Sequence, residues 1–160
     1  MSNARNLARL LPNASRQLPD AAMSSGSVIQ VVTAQNTNAV TISADGVIDI
    51  GISASITIQQ GSRILVDCVV PVYSDGSGGG SWAATQVFLY EGATMLIQTE
   101  HAGTVTNEAQ SVQIPLNGEL TARNAGTYTF ALKACRTIGG SRYIKRDNRL
   151  GVMKLTEIAA

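Results

Sequence analysis

The chain has 160 residues, enough for one domain to bury a core without disulfides or metals to hold it. Charged residues make up 14% of it, aromatic residues 4%, and the formal net charge is +1, so its surface offers little steering toward nucleic acid or an anionic membrane. The two cysteines lack Cys-x-x-Cys spacing and His101 is the only histidine, so no metal or cofactor is expected and any Ser-His-Asp or Cys-His catalysis would have to be built on one residue in the turn-like "TEHAGT".

Residues 1–26 differ in character from the rest of the chain. "NARNLARLLPN" sets Leu7, Leu10 and Leu11 at helical spacing, but Pro12 ends any helix after about two turns, too short to be stable alone. "ASRQLPDAAMSSG" is polar, carries Pro19 and has neither strand nor helix period. Composition alone allows a disordered tail. Three leucines between residues 7 and 11 point instead to an extended arm that a partner orders. "LARLL", broken by Arg9 and stopped by Pro12, is too short for a secretory or membrane-spanning segment, so a chain made and assembled in the cytosol is expected.

Residues 27–160 read as one β-domain of short strands. "SVIQVVTA", "AVTIS", "SASITIQQ", "RILVDCVVPV", "AATQVFLYEG", "TMLIQTE", "SVQIPLNG", "GTYTFALKAC", "SRYIKR" and "GVMKLTEIA" succeed one another, separated by Asn-Thr-Asn, Asp-Gly, Gln-Gly, a glycine run, Glu-Gly, Asn-Gly and Gly-Gly. Alternation is plain in the fourth, where Ile64, Val66, Cys68, Val70 and Val72 share a face opposed by Leu65, Asp67, Val69 and Pro71. It recurs in the eighth, where Tyr128, Phe130, Leu132 and Ala134 oppose Thr127, Thr129 and Lys133. Half-buried strands without intervening helices, and without a fixed repeat, predict an all-β, antiparallel β-sandwich of jelly-roll-like type.

The glycine run "SDGSGGGS" does not suit a phosphate. A Walker loop needs Lys and Ser/Thr directly after its last glycine, whereas Ser81, Trp82, Ala83 and Ala84 come next here, and no Lys or Arg occurs between Arg63 and Arg123. A surface connection between two strands is the economical reading.

Few side chains suggest chemistry. The acids mostly precede glycines, as in Asp45-Gly46, Asp75-Gly76 and Glu91-Gly92, which turn formation explains. Asp67 lies mid-strand, to be solvated or paired with a cation. Cys68 and Cys135 sit among apolar neighbours, as buried free thiols rather than a disulfide. "RTIGGSRYIKRDNR" carries Arg136, Arg142, Lys145, Arg146 and Arg149 against Asp147, five minus one or +4, around Tyr143. That is either a hairpin whose cations guard a sheet edge or a small contact for an acidic glycan or nucleic acid. Trp82 is either a core or interface plug or a sugar-stacking ring.

The order "GSVIQVV" after a polar arm, then "ISASITIQQGSRILVDCVVPV", a loop, "ATQVFLYEGATML", "GTYTFALKA" and "MKLTEIAA" resembles the C-terminal β-domain of bacteriophage fibre and other virion appendage proteins, and "ARNLARLLPN" resembles the opening of short phage structural proteins. The resemblance implies a non-enzymatic virion protein, a short fibre or capsid decoration protein. Its arm would dock on capsid, portal or tail through Leu7, Leu10 and Leu11, and its β-domain would project as a homotrimer. No coiled-coil heptads or shaft repeats separate arm and head, unlike long tail fibres, and no catalytic residue is carried over. The rival readings are a lectin-like module contacting a host surface glycan through Asp75, Trp82, Arg142 and Tyr143, and a hydrolase. Neither nucleic acid nor membrane insertion is expected.

Overall fold

A computed structural model describes residues 24–42, 46–74, 82–104, 110–138, 142–144 and 149–160. Among the described residues ten strands run in chain order: β1 (Val28–Asn36), β2 (Val40–Ile42), β3 (Ile48–Ile58), β4 (Arg63–Ser74), β5 (Trp82–Glu91), β6 (Thr94–Thr104), β7 (Gln110–Leu120), β8 (Gly126–Ile138), β9 (Arg142–Ile144) and β10 (Gly151–Ile158). Among the described residues there is no helix.

Two antiparallel sheets result. In the first, β4 is central and pairs along one edge with β7, from Ile64↔Leu120 to Ser74↔Gln110. Its other edge is shared: β10 takes Arg63 to Val69 and β9 takes Val72 to Ser74, with β1 beyond β10 and β2 beyond β9. Pro71, which has no N–H to give a ladder, lies where that edge changes partner. The second sheet has the order β3-β8-β5-β6. With β2 and β9 set aside, β1-β10-β4-β7 faces β3-β8-β5-β6 as an eight-stranded jelly roll, and the expected antiparallel sandwich of jelly-roll-like type is the fold observed.

Alternation decides what each strand buries. Ile64, Val66, Cys68, Val70 and Val72 of β4 and Ile50, Ile52, Ile56 and Ile58 of β3 point inward with Phe130 and Leu132 of β8 and Met153 and Leu155 of β10. Leu65 and Asp67, between the buried residues of β4, are exposed. Each fully buried side chain of this size stabilises by about 1.5–3 kcal/mol.

Three local expectations change. The third strand begins at Ile48 rather than Ser53, with a bulge between Asp49 and Ile52 where Gly51, at φ 69°, donates its N–H to Asp49 Oδ1 at 2.6 Å. Asn117-Gly118 does not break the chain, because β7 runs through it. "RTIGGSRYIKR" is no hairpin, since β8 belongs to the second sheet and β9 pairs with β2 and β4 in the first.

The two open sides of the sandwich are closed differently. On one, amide side chains of β1 reach backbone carbonyls of β3, Asn36 Nδ2 to Gly51 O at 2.6 Å and Gln30 Nε2 to Thr57 O at 2.5 Å. On the other, the side chain of Ile97 on β6 packs over Gly118 on β7.

Candidate functional site

The sandwich has two distinct ends. β1 starts and β10 finishes at the same end, where Val28 pairs with Ile158. There the Gly26 N–H donates to Ala159 O at 3.1 Å and the Ala159 N–H to Ser27 O at 2.8 Å. The turn between β3 and β4 lies alongside: Gly61 takes φ 84° and donates to Arg123 O at 2.8 Å, and the Arg123 N–H returns to Ser62 O at 3.1 Å. The Arg123 guanidinium bonds Glu91 at 2.5 Å and lies 4.8 Å from the centre of the Tyr128 ring and 5.6 Å from that of Phe130. Residues 1–23 therefore join the domain at this end, which we call the base. Leu7, Leu10 and Leu11 lie outside the described residues.

A buried carboxylate organises the base. Glu157 continues the inward row of Met153 and Leu155 and has no exposed surface. It accepts the Gln59 N–H at 2.8 Å and the Gln30 side-chain amide at 2.5 Å, and that amide also bonds Thr57 O. One acid thus ties β10 to β1 and to the turn after β3, which satisfies the hydrogen bonding that a buried polar group needs.

The opposite end, the tip, gathers the other candidates. Arg142 pairs with Ile42 and Ser74, and Tyr143 with Thr41 and Tyr73, so β9 bridges β2 and the last residues of β4. Trp82 opens β5 opposite Thr104, the last residue of β6. The backbone therefore sets Arg142 and Tyr143 in one sheet and Trp82 in the other, at the same end. Asp75 comes directly after Ser74 in sequence and lies outside the described residues, as do Lys145, Arg146 and Asp147.

Among the described residues several other ionisable groups are paired or buried. Asp67 is exposed and paired with Lys154 directly opposite on β10, at 3.1 Å. His101 is exposed within β6 opposite Thr85, not in a turn. Cys68 and Cys135 are buried free thiols on different sheets. Burial, reinforced by the charge of Asp67, pushes Cys68 up to about 12. Cys135 Sγ faces Gln86 Oε1 at 3.5 Å. Among the described residues no group of three His, Cys, Asp or Glu could hold a metal ion.

Sequence reasoning did not single out Glu157, Gln30, Asn36 or Arg123. The signal for the first three was present: each is a polar residue on the inward parity of a strand whose other inward residues are apolar, as in Gln30, Val32, Ala34 and Asn36.

No protein-family model matches the chain, and no curated protein matches it. Solved structures do. The chain is similar to the Eiger TNF of S. frugiperda, at 11% identity over 81% of this chain and 93% of that one, with a TM-score of 0.44. It is similar to the tripod (BppUct-A-L) from the baseplate of bacteriophage Tuc2009, at 14% identity over 81% of this chain and 64% of that one, with a TM-score of 0.46. The dimeric latent PorU of Porphyromonas gingivalis is similar at 9% identity over 89% of this chain and 14% of that one, with a TM-score of 0.44.

Proposed function

We propose that the chain is a non-enzymatic bacteriophage virion protein, a short fibre or capsid decoration protein that docks through its N-terminal segment and projects its jelly roll as a homotrimer. The observation that carries this reading is the polarity of the domain. The leucine-bearing segment joins at the base, while Trp82, Arg142 and Tyr143 sit at the tip, separated by the length of strands such as the 12-residue β4, about 40 Å at ~3.3 Å per residue. Anchor and contact surface at opposite ends suit a molecule that stands on a particle and presents its far end to a host surface glycan.

A non-catalytic role has support in the side chains. The one histidine is exposed, Asp67, Glu91 and Glu119 are each paired with a cation, and the Cys68 thiol is held protonated. A near-neutral β surface supports self-association, because little charge must be desolvated to cover it.

The decisive experiment compares the full chain with one lacking residues 1–23, a cut that spares the bonds between Gly26 and Ala159. Truncation should leave the thermal transition almost unchanged and abolish incorporation into particles. Leu10→Asp should do the same, since a carboxylate buried without a partner offsets the ~1.5–3 kcal/mol that each neighbouring leucine contributes. Normal occupancy by the truncated protein would place the anchor on the sandwich. Glycan binding by the isolated domain, without association with particles, would favour the lectin-like reading.

A further inference from the structure

The outward side of the first sheet carries an apolar corner. The register sets Val31, Thr156, Leu65 and Glu119 in one row across β1, β10, β4 and β7. Val31 and Leu65 are 53% and 38% exposed, and Val28, nearer the base beside Ile158, is 54% exposed. Three of the six large hydrophobic side chains left exposed among the described residues thus lie together. Clustered apolar surface of this kind marks an interaction site, whereas single exposed residues do not.

The four charged side chains around this corner pair with one another, whereas toward the tip Arg149 donates to the hydroxyl of Ser111 on the same face. Lys154 pairs with Asp67 at 3.1 Å and Arg63 with Glu119 at 2.8 Å. A covering partner need bring no counter-charge, as suits another copy of a chain whose net charge is +1. Val28 lies four residues after Ser24, so copies joined at this corner would also bring their N-terminal segments together at the base.

We infer that the outward face of the first sheet, around Val28, Val31 and Leu65, is the surface through which copies of this chain associate; this rests on the proposed homotrimer and locates its interface. Four strands ~4.8 Å apart and about ten residues long give roughly 500 Å², less than the ~800 Å² that each partner contributes to a standard interface. A two-fold contact through this face alone falls short. A ring, in which this face meets a surface of the next copy other than the outward side of its second sheet, adds the missing area.

The test is sedimentation equilibrium at micromolar concentration on the full chain, on the double variant Val31→Arg/Leu65→Arg, and on Thr129→Arg, which changes the outward side of the second sheet. The full chain and Thr129→Arg should run at the trimer mass, and the double variant at about one third of it with an unchanged circular dichroism spectrum. A double variant that keeps the full mass overturns this location while the trimer stands, as does dissociation of Thr129→Arg. A monomeric full chain overturns both. If the double variant misfolds, Val31→Cys decides: maleimide labelling should be slow where the chain is associated and faster on dilution, against the slow background of the buried native thiols. Equal rates at both concentrations overturn the inference.

Discussion

Ile97 on β6 fills the space that a side chain at Gly118 on β7 would need, so a glycine inside a strand closes one side of the sandwich. The fit depends on the missing Cβ rather than on any unusual backbone angle.

Gly118→Val should therefore destabilise the domain by about 1–3 kcal/mol through overpacking. Gly118→Ala should cost less, because the end of the Ile97 side chain can turn away. Adding Ile97→Ala to Gly118→Val should recover part of the loss, so that the double variant costs less than the sum of the single changes. Midpoints of urea unfolding for the four proteins measure this directly.

On the opposite side the closing contacts are polar. Gln30→Ala removes a donor from both Thr57 O and the fully buried Glu157 carboxylate, and should cost about 1.5–3 kcal/mol, the range for hydrogen bonds to charged groups. Asn36→Ala removes an exposed bond to Gly51 O and should cost about 1 kcal/mol or less. At this chain length 1 kcal/mol corresponds to roughly 2–4 °C in thermal midpoint, so calorimetry separates the two.

Cys68 makes stability depend on alkaline pH. Its folded value is raised to about 12 from 9.0, so the native state holds a proton that the unfolded chain releases. Its contribution is complete below pH 9 and is lost as pH rises toward 12, at no more than about 1.4 kcal/mol per pH unit. Cys68→Ala, though less stable at neutral pH through the cavity it leaves, should show a shallower decline between pH 9 and 10.5 in urea midpoints. Equal slopes would show that other groups set the alkaline limit.

Two arginine–carboxylate pairs should behave unequally. Arg123 is 19% exposed, bonds Glu91 and stacks near Tyr128 and Phe130, so Arg123→Ala should cost roughly 1–2 kcal/mol and Arg123→Lys should recover little of it. Arg63 and Glu119 are 41% and 44% exposed, and Arg63→Ala should change stability by less than about 0.5 kcal/mol, a difference that salt erases.

Much of the architecture was legible because period two is a local property. Ile64 through Val72 announced a strand with one buried face, and the same logic gave the jelly roll. What sequence could not supply was partnership. "RTIGGSRYIKR" looked like a hairpin because its halves are neighbours in the chain, yet β8 and β9 answer to different sheets. Asn117-Gly118 carried a turn signal, but its glycine serves close packing. Gln30, Asn36 and Glu157 were invisible as a group because the partners that join them to other strands lie between 15 and 127 residues away. The tip residues were nominated by type alone; register shows that three of them share an end.

The antiparallel pairing of β1 with β10 has a mechanical consequence. Its hydrogen bonds run across the strands from Val28↔Ile158 to Asn36↔Gly151. A pull between a held N-terminal segment at the base and a load at the tip acts along β1 and strains the whole ladder at once, in shear. A pull between the segments flanking Ser27 and Ala159, both at the base, would peel the same ladder open one pair at a time. The ladder is thus stiff to forces along the axis between base and tip and weak to forces that part its two strands at the base.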